Sequence, residues 1–173
     1  MAETAEKLVQ TLEPAALVKN EPIKKVSIVF SQGALTSAYA GLILANAARM
    51  SGIDACMFFT FFGLDVVNKK KLDNLMVPTV GNPSMGIPTF LGSLPGMSWF
   101  ATKMMKKQID KMDFPPVREM LETLDDAGAE LYGCRMSADM MGLTKDDFIP
   151  QVRDIISAMD FYDKSAGASI IFI

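Results

Sequence analysis

"KKVSIVFSQGALTSAYAGLILANAARMSGIDACMFFTFF" (residues 24–62) decides the fold. Residues 24–30 are β-branched and aromatic and have the length of a strand. "SQGALTS" (31–37) turns the chain, and the alanine-rich run "SAYAGLILANAARMSG" (37–52) reads as a helix that Gly52 ends. "IDACMFFTFF" (53–62) shows almost no polar alternation, as expected of a parallel strand covered on both faces. Strand, glycine-containing turn, helix and strand open a βαβ unit.

The same alternation continues downstream. "GLDVVNKKKLDN" (63–74) leaves the sheet with Lys69, Lys70 and Lys71 on a solvated face. In "FPPVREMLETLDDAG" (114–128), Pro115 and Pro116 suit a helix start. Val117, Met120, Leu121 and Leu124 make its apolar stripe, and Gly128 ends it. "AELYGCRM" (129–136) is a third strand. "SADMMGLTKDDFIPQV" (137–152) holds one or two short helices, with Ser137 as N-cap of the first and Thr144, backed by Asp147, as N-cap of the second. "RDIISAM" (153–159) is a fourth strand, "DFYDKSAGA" (160–168) a short helix and "SIIFI" (169–173) a fifth strand. The pattern predicts an α/β fold: a three-layer αβα single domain over 23–173 with a mainly parallel sheet of about five strands. Residues 1–22 read as an N-terminal helical extension. Leu8, Leu12, Ala15, Ala16 and Val18 share one side, and Pro22 closes it.

Composition excludes several function classes. The chain has 173 residues, half of them hydrophobic, so a core needs no disulfide staples. A net charge of −3 without a basic stripe makes nucleic acid an unexpected partner. Histidine is absent, which removes Ser-His-Asp and Cys-His triads and every histidine-based metal site. Cys56 and Cys134 are the only cysteines and form neither a CxxC pair nor zinc spacing. No metal and no cofactor is expected. The N-terminus lacks a basic region followed by an apolar one, so a cytoplasmic location is expected, where a free thiol stays reduced. Fourteen methionines serve either as adaptable core filler or as a surface that repacks against partners.

Residues 75–102 carry no charge. That length suits a membrane span, but Pro78, Pro83, Pro88 and Pro95, with Gly81, Gly86, Gly92 and Gly96, interrupt it. Such a segment needs cover from its own domain, a neighbouring subunit or a membrane surface. In "WFATKMMKKQIDKM" (99–112), Trp99, Phe100, Met104, Met105, Ile109 and Met112 can share one helix side, with four lysines elsewhere. Such a helix packs on its domain or lies on a membrane surface, so membrane contact through 75–112 stays open.

In open parallel sheets, ligands bind at the carboxyl ends of the strands. Ser31, Gln32 and Gly33, then Thr60, Phe61, Phe62 and Gly63, then the stretch from Gly133 and Cys134 through Arg135 and Met136 to Ser137, are expected there. Cys134 ends a strand just before a helix start. Backbone N–H groups there favour a thiolate, and Arg135 adds a cation if its side chain turns the same way. The alternative is that Cys134 is a small buried side chain, since free cysteine is among the most buried residue types. Cys56, inside an apolar strand, reads as inert core; a resolving thiol would need the two Cα atoms within about 7 Å. "SQGALTS" lacks the spacing of a phosphate loop and reads as an ordinary βα turn.

"FFTFFGLDVVNK" (58–69), "GSLPGMSWFATKMM" (92–105), "VREMLETLDDAGAELYGCRMSADMMGL" (117–143) and the closing "SIIFI", in that order, resemble the DsrE/DsrF-like sulfur-carrier family. Within it, the chain is most similar to the Met-rich subgroup known as peroxiredoxin-like or membrane-tending DsrE homologues. The resemblance spans about residues 24–173. It implies a small α/β protein in homo-oligomers, as trimers, their multiples or tetramers. It implies a cysteine at a strand end that carries sulfur as persulfide or thiosulfonate, exchanged with TusA-like or rhodanese-like proteins or small sulfur oxoanions. The matching cysteine is Cys134, with Met136, Ser137 and Gly142 completing its motif. This is transfer by one activated thiol, so whether the protein counts as an enzyme is left open. Two rivals stand beside it. A thiol peroxidase would need a resolving thiol for a sulfenic acid on Cys134. A non-catalytic binding or assembly module would use the sheet edge and the Met-rich surface instead.

Overall fold

A computed structural model describes residues 22–79, 94 and 96–173. The expected N-terminal helical extension and the middle of the uncharged stretch lie outside the described residues. The described elements are β1 (Lys25–Phe30), α1 (Leu35–Met50), β2 (Asp54–Phe59), 3₁₀ segments (Phe61–Val66 and Leu72–Asn74), α2 (Met97–Lys111), α3 (Val117–Asp126), β3 (Glu130–Cys134), α4 (Arg135–Met140), a 3₁₀ turn (Lys145–Asp147) capped by Thr144 and Asp147 as expected, β4 (Val152–Ile156), α5 (Ala158–Lys164) and β5 (Ser169–Phe172). The five strands form one sheet in the order β4-β3-β2-β1-β5, and every pair is parallel. This is the expected α/β architecture.

The order fixes where the helices go. From β1 to β4 the chain steps one strand at a time in one direction. The connection from β4 to β5 then returns across three strands. Right-handed crossovers put helices of opposite steps on opposite faces. Ile28, Phe30, Met57, Phe59 and Leu131 therefore face α1 and α3 in the large core, with Leu42, Ala45, Leu121 and Leu124. Val29, Cys56, Phe58, Tyr132, Cys134 and Ile156 face the other way and pack on Phe161 of α5. The rings of Phe58 and Phe161 stack at 4.6 Å. Among the described residues, the third layer is thus one helix of seven residues.

On the same side of the sheet, toward β5, Ile170 and Phe172 are exposed among the described residues.

Residues 54–59 make the strand, but the apolar run beyond them does not continue it. Phe61 adopts φ +46° and turns the chain into the 3₁₀ segment. A bulky residue in the left-handed region costs about 1–2 kcal/mol. Here the turn folds 61–66 back over the end of β1. Gly63 makes that approach close: a Cβ there would lie 2.0 Å from the Phe30 carbonyl oxygen.

Helix α2 buries only Ala101 and Thr102 fully, while Met105 packs against the core. Trp99, Phe100 and Met104 are exposed. The sequence left open whether this stripe packs on its own domain; the small residues do so, and these aromatic and Met side chains do not. Thr102 ties the helix to the preceding chain, accepting from the Val77 N–H at 2.8 Å. Among the described residues, no helix is long and apolar enough to cross a membrane.

Candidate functional site

β3 ends at Cys134, and α4 begins at the next residue. Ser137, expected as the N-cap, instead lies in the first turn. Cys134 itself takes the N-cap position, with an extended φ of −76° and ψ of 121°. Ser137 has a different partner. Its hydroxyl sits 3.0 Å from that of Thr60, across the end of β2, with both side chains buried.

This arrangement sets the thiol's chemistry. Burial is the largest single influence on Cys134 and pushes its pKa up. The Ser137 hydroxyl, the Ser137 backbone N–H, the Thr60 hydroxyl and the Met136 backbone N–H all favour the thiolate, and together they bring the pKa below the ordinary thiol value. No short capping hydrogen bond is made to the sulfur. The donors favour the anion without tying up a neutral thiol.

Two expected contributions differ. Arg135 does not turn to the thiol; its guanidinium donates to the Ile155 carbonyl at 2.7 Å. Helix α4 has only six residues, so its aligned dipoles add little beyond the first-turn N–H groups.

Cys134 lines an open cleft of about 470 Å³ together with Arg135, Met136, Asp139, Ser157, Ala158 and Met159. Cys134 itself is 6% exposed. One wall is the start of α4 and the other the start of α5. Met136 and Met159 stand largely exposed at its sides. The second wall was missed from sequence, although "SAMD" (157–160) carries its signal. Ser157 and Asp160 form a reciprocal capping box that starts α5. None of the described residues of 75–102 lines this cleft.

The remaining expected site residues share the sheet edge but divide by role. Ser31 is engaged by the chain end, its hydroxyl donating to the Ile173 carbonyl at 2.9 Å. Gln32 accepts from the Ser37 hydroxyl within its own turn. Gly33 permits close packing: a Cβ would lie 2.6 Å from the Phe62 carbonyl oxygen. Phe62 is exposed and Gly63 packs on Phe30. Ser31, Gln32 and Gly33 supply none of the donors around the sulfur. Gly133 has neighbours only at ordinary contact distances, so crowding does not require a glycine there. Gly142, at φ +63°, ends the turn after α4 in the left-handed region that glycine favours.

Cys56 is fully buried, and its thiol is pushed up to about 11, mainly by burial and then by the Glu130 carboxylate. It pairs in register with Glu130, four residues before Cys134 on the same strand. At about 3.3 Å per residue that offset alone is roughly 13 Å, too far for a disulfide. Brief treatment of the folded protein with iodoacetamide at about pH 8 is therefore expected to modify Cys134 and spare Cys56. Peptide mass spectrometry reads the difference, and equal labelling would contradict it.

Sheet order, crossover and cleft define a small α/β protein with a single acidified cysteine at the carboxyl edge of a parallel sheet. Residues 22–173 match the model of the DsrE/DsrF/DrsH-like family, and the chain belongs to that family. It is 33% identical over 155 residues to the sulfur carrier protein DsrE2 of Allochromatium vinosum, covering 85% of this chain and 96% of that protein. It is 24% identical over 164 residues to the uncharacterized protein YrkE of Bacillus subtilis, covering 88% of this chain and 99% of that one.

Proposed function

We propose that this protein is a sulfur carrier that holds sulfane sulfur on Cys134 and passes it to partner thiols. The observation that carries this reading is a thiol at the N-cap of α4 that lines an open cleft, with the first-turn Ser137 paired to Thr60 across the end of β2. The likeness to a named sulfur carrier supports it. In loading, the Cys134 thiolate attacks the outer sulfur of a donor persulfide. A new S–S bond forms, the donor's S–S bond breaks, and the donor leaves as thiolate. In discharge, a partner thiolate attacks the outer sulfur on Cys134, and the electron pair of the broken bond returns to Cys134 Sγ. Neither step needs a base within this protein or an external oxidant. The donors around Sγ favour both the attacking anion and the leaving anion. A thiosulfonate cargo would be loaded by attack of the Cys134 thiolate on an inner sulfur of tetrathionate, whose central S–S bond breaks and releases thiosulfate.

The reading brings with it sulfur-transfer proteins as partners, a reducing compartment and an oligomeric assembly. The test loads the reduced protein with polysulfide, removes the excess and offers it to a reduced thiol protein. Stoichiometric uptake followed by transfer is expected. Uptake that no protein thiol discharges would contradict a carrier role. A thiol peroxidase is the less favoured alternative, because the second cysteine lies buried and out of reach.

A further inference from the structure

A second cavity, of about 420 Å³, lies between α2 and residues 74–76. It shares no lining residue with the Cys134 cleft. Leu75, Met76 and Trp99 make its apolar lining, and Lys103, Lys106, Lys107 and Asp110 its charged lining. We infer that this cavity binds a phosphate monoester with an apolar body, taken either as a free ester such as a nucleoside monophosphate or as the headgroup of an anionic lipid.

The charge balance points to a dianion. Three lysines against one aspartate leave two positive charges at the cavity, in a chain whose net charge is −3. A phosphate monoester carries about −1.5 to −2 at neutral pH. Asp110 follows Lys106 and Lys107 at the helical spacings where side chains meet, yet it pairs with neither. Among the described residues, Arg49, Lys71, Arg118 and Arg153 form ion pairs with carboxylates, and Lys103, Lys106 and Lys107 do not.

Two of these ammonium groups are held by neutral partners. Lys103 Nζ lies 5.1 Å from the centre of the Trp99 ring. Lys106 Nζ donates to the Asp73 carbonyl at 3.0 Å. Neither contact neutralises the charge, and both reduce the freedom that an arriving anion would have to remove. The frame is tied as well. Thr102, also on the wall, accepts from the Val77 N–H at 2.8 Å and donates to the Ser98 carbonyl at 2.6 Å.

The apolar lining sets the rest of the ligand. Small-molecule pockets span about 300–1,000 Å³, and a bare phosphate would fill little of such a space. Met76 and Trp99 are exposed, so an apolar or planar group seated on them withdraws their surface from water. Charge together with this lining favours an ester over the inorganic ion.

Trp99 is the only tryptophan in the chain, so its fluorescence reports this cavity alone. The test titrates the full chain with AMP, with dihexanoyl phosphatidic acid below its micelle concentration, with inorganic phosphate and with adenosine. A saturable change is expected with an ester, at a dissociation constant of about 1 mM or tighter. AMP binding ahead of the lipid names the free ester as the source, and the reverse names the headgroup. Inorganic phosphate and adenosine should each bind about tenfold more weakly, since each lacks half of the recognised chemistry. Lys103 and Lys107 are exposed, so their loss leaves the fold intact. Lys103→Gln and Lys107→Gln should each weaken ester binding by about fivefold. Lys24→Gln removes the same charge away from the cavity and should not. No saturation with either ester by about 10 mM would overturn the inference. So would phosphate or adenosine binding as tightly as the esters, or equal weakening in Lys24→Gln.

Discussion

Cys134→Ser is expected to lose the whole sulfur load while keeping the fold. Serine has nearly the shape of cysteine, and it suits the N-cap position that Cys134 occupies at α4. Its hydroxyl can take over the first-turn donors and the contact with Ser137. The stability change should stay within about 1 kcal/mol. A serine hydroxyl forms no persulfide, and Cys56 is too deeply buried to replace it. Cyanide-releasable sulfur after polysulfide loading should fall to background, with thermal unfolding little changed. A variant that still loads sulfur would move the chemistry away from β3.

Gly63→Ala is expected to give a large loss of stability and to blunt the thiol as well. The added methyl would sit 2.0 Å from the Phe30 carbonyl oxygen and 2.6 Å from its carbon. Both are backbone atoms at the end of a central strand, so neither gives way cheaply. Overpacking of this kind costs about 3 kcal/mol. Relief comes most easily by lifting the 3₁₀ segment, which the Gly63 N–H also ties to the Thr60 carbonyl at 2.8 Å. That movement draws Thr60 away from Ser137. Denaturant unfolding should report the lost stability, and the alkylation profile of Cys134 should shift toward higher pH. A variant with wild-type stability would show that the segment is looser than this packing implies.

The fold was legible because β1 and β2 are mostly apolar runs and because glycine or proline punctuates the chain between elements. β1, β2 and β3 could be placed from their own residues, and the alternation of elements gave the parallel sheet. The end of β2 could not be read. Residues 60–62 are as apolar as the strand before them, and nothing local says that Phe61 turns left-handed. That turn is imposed by the docking of Gly63 on Phe30, a contact between separate elements.

The candidate site was legible only as a set of positions at one sheet edge. Cys134 stands out by position, and Thr60 and Ser137 fall on the same sheet edge. Their pairing joins two strand ends 77 positions apart and leaves no mark in either segment. Arg135 shows the opposite case. Its neighbourhood suggested a cation for the thiol, yet the guanidinium donates to the Ile155 carbonyl on β4. Sequence proximity names the candidates at such an edge, and tertiary hydrogen bonds decide which of them reach the sulfur.

The most direct test of the central claim is peptide-level mass spectrometry of the wild-type protein after loading with polysulfide. The thiols are trapped before digestion so that each cysteine keeps its state. The account predicts added sulfur on the peptide containing Cys134, removed by reductant, with Cys56 unmodified. Sulfur found on Cys56, or on neither cysteine, would contradict it.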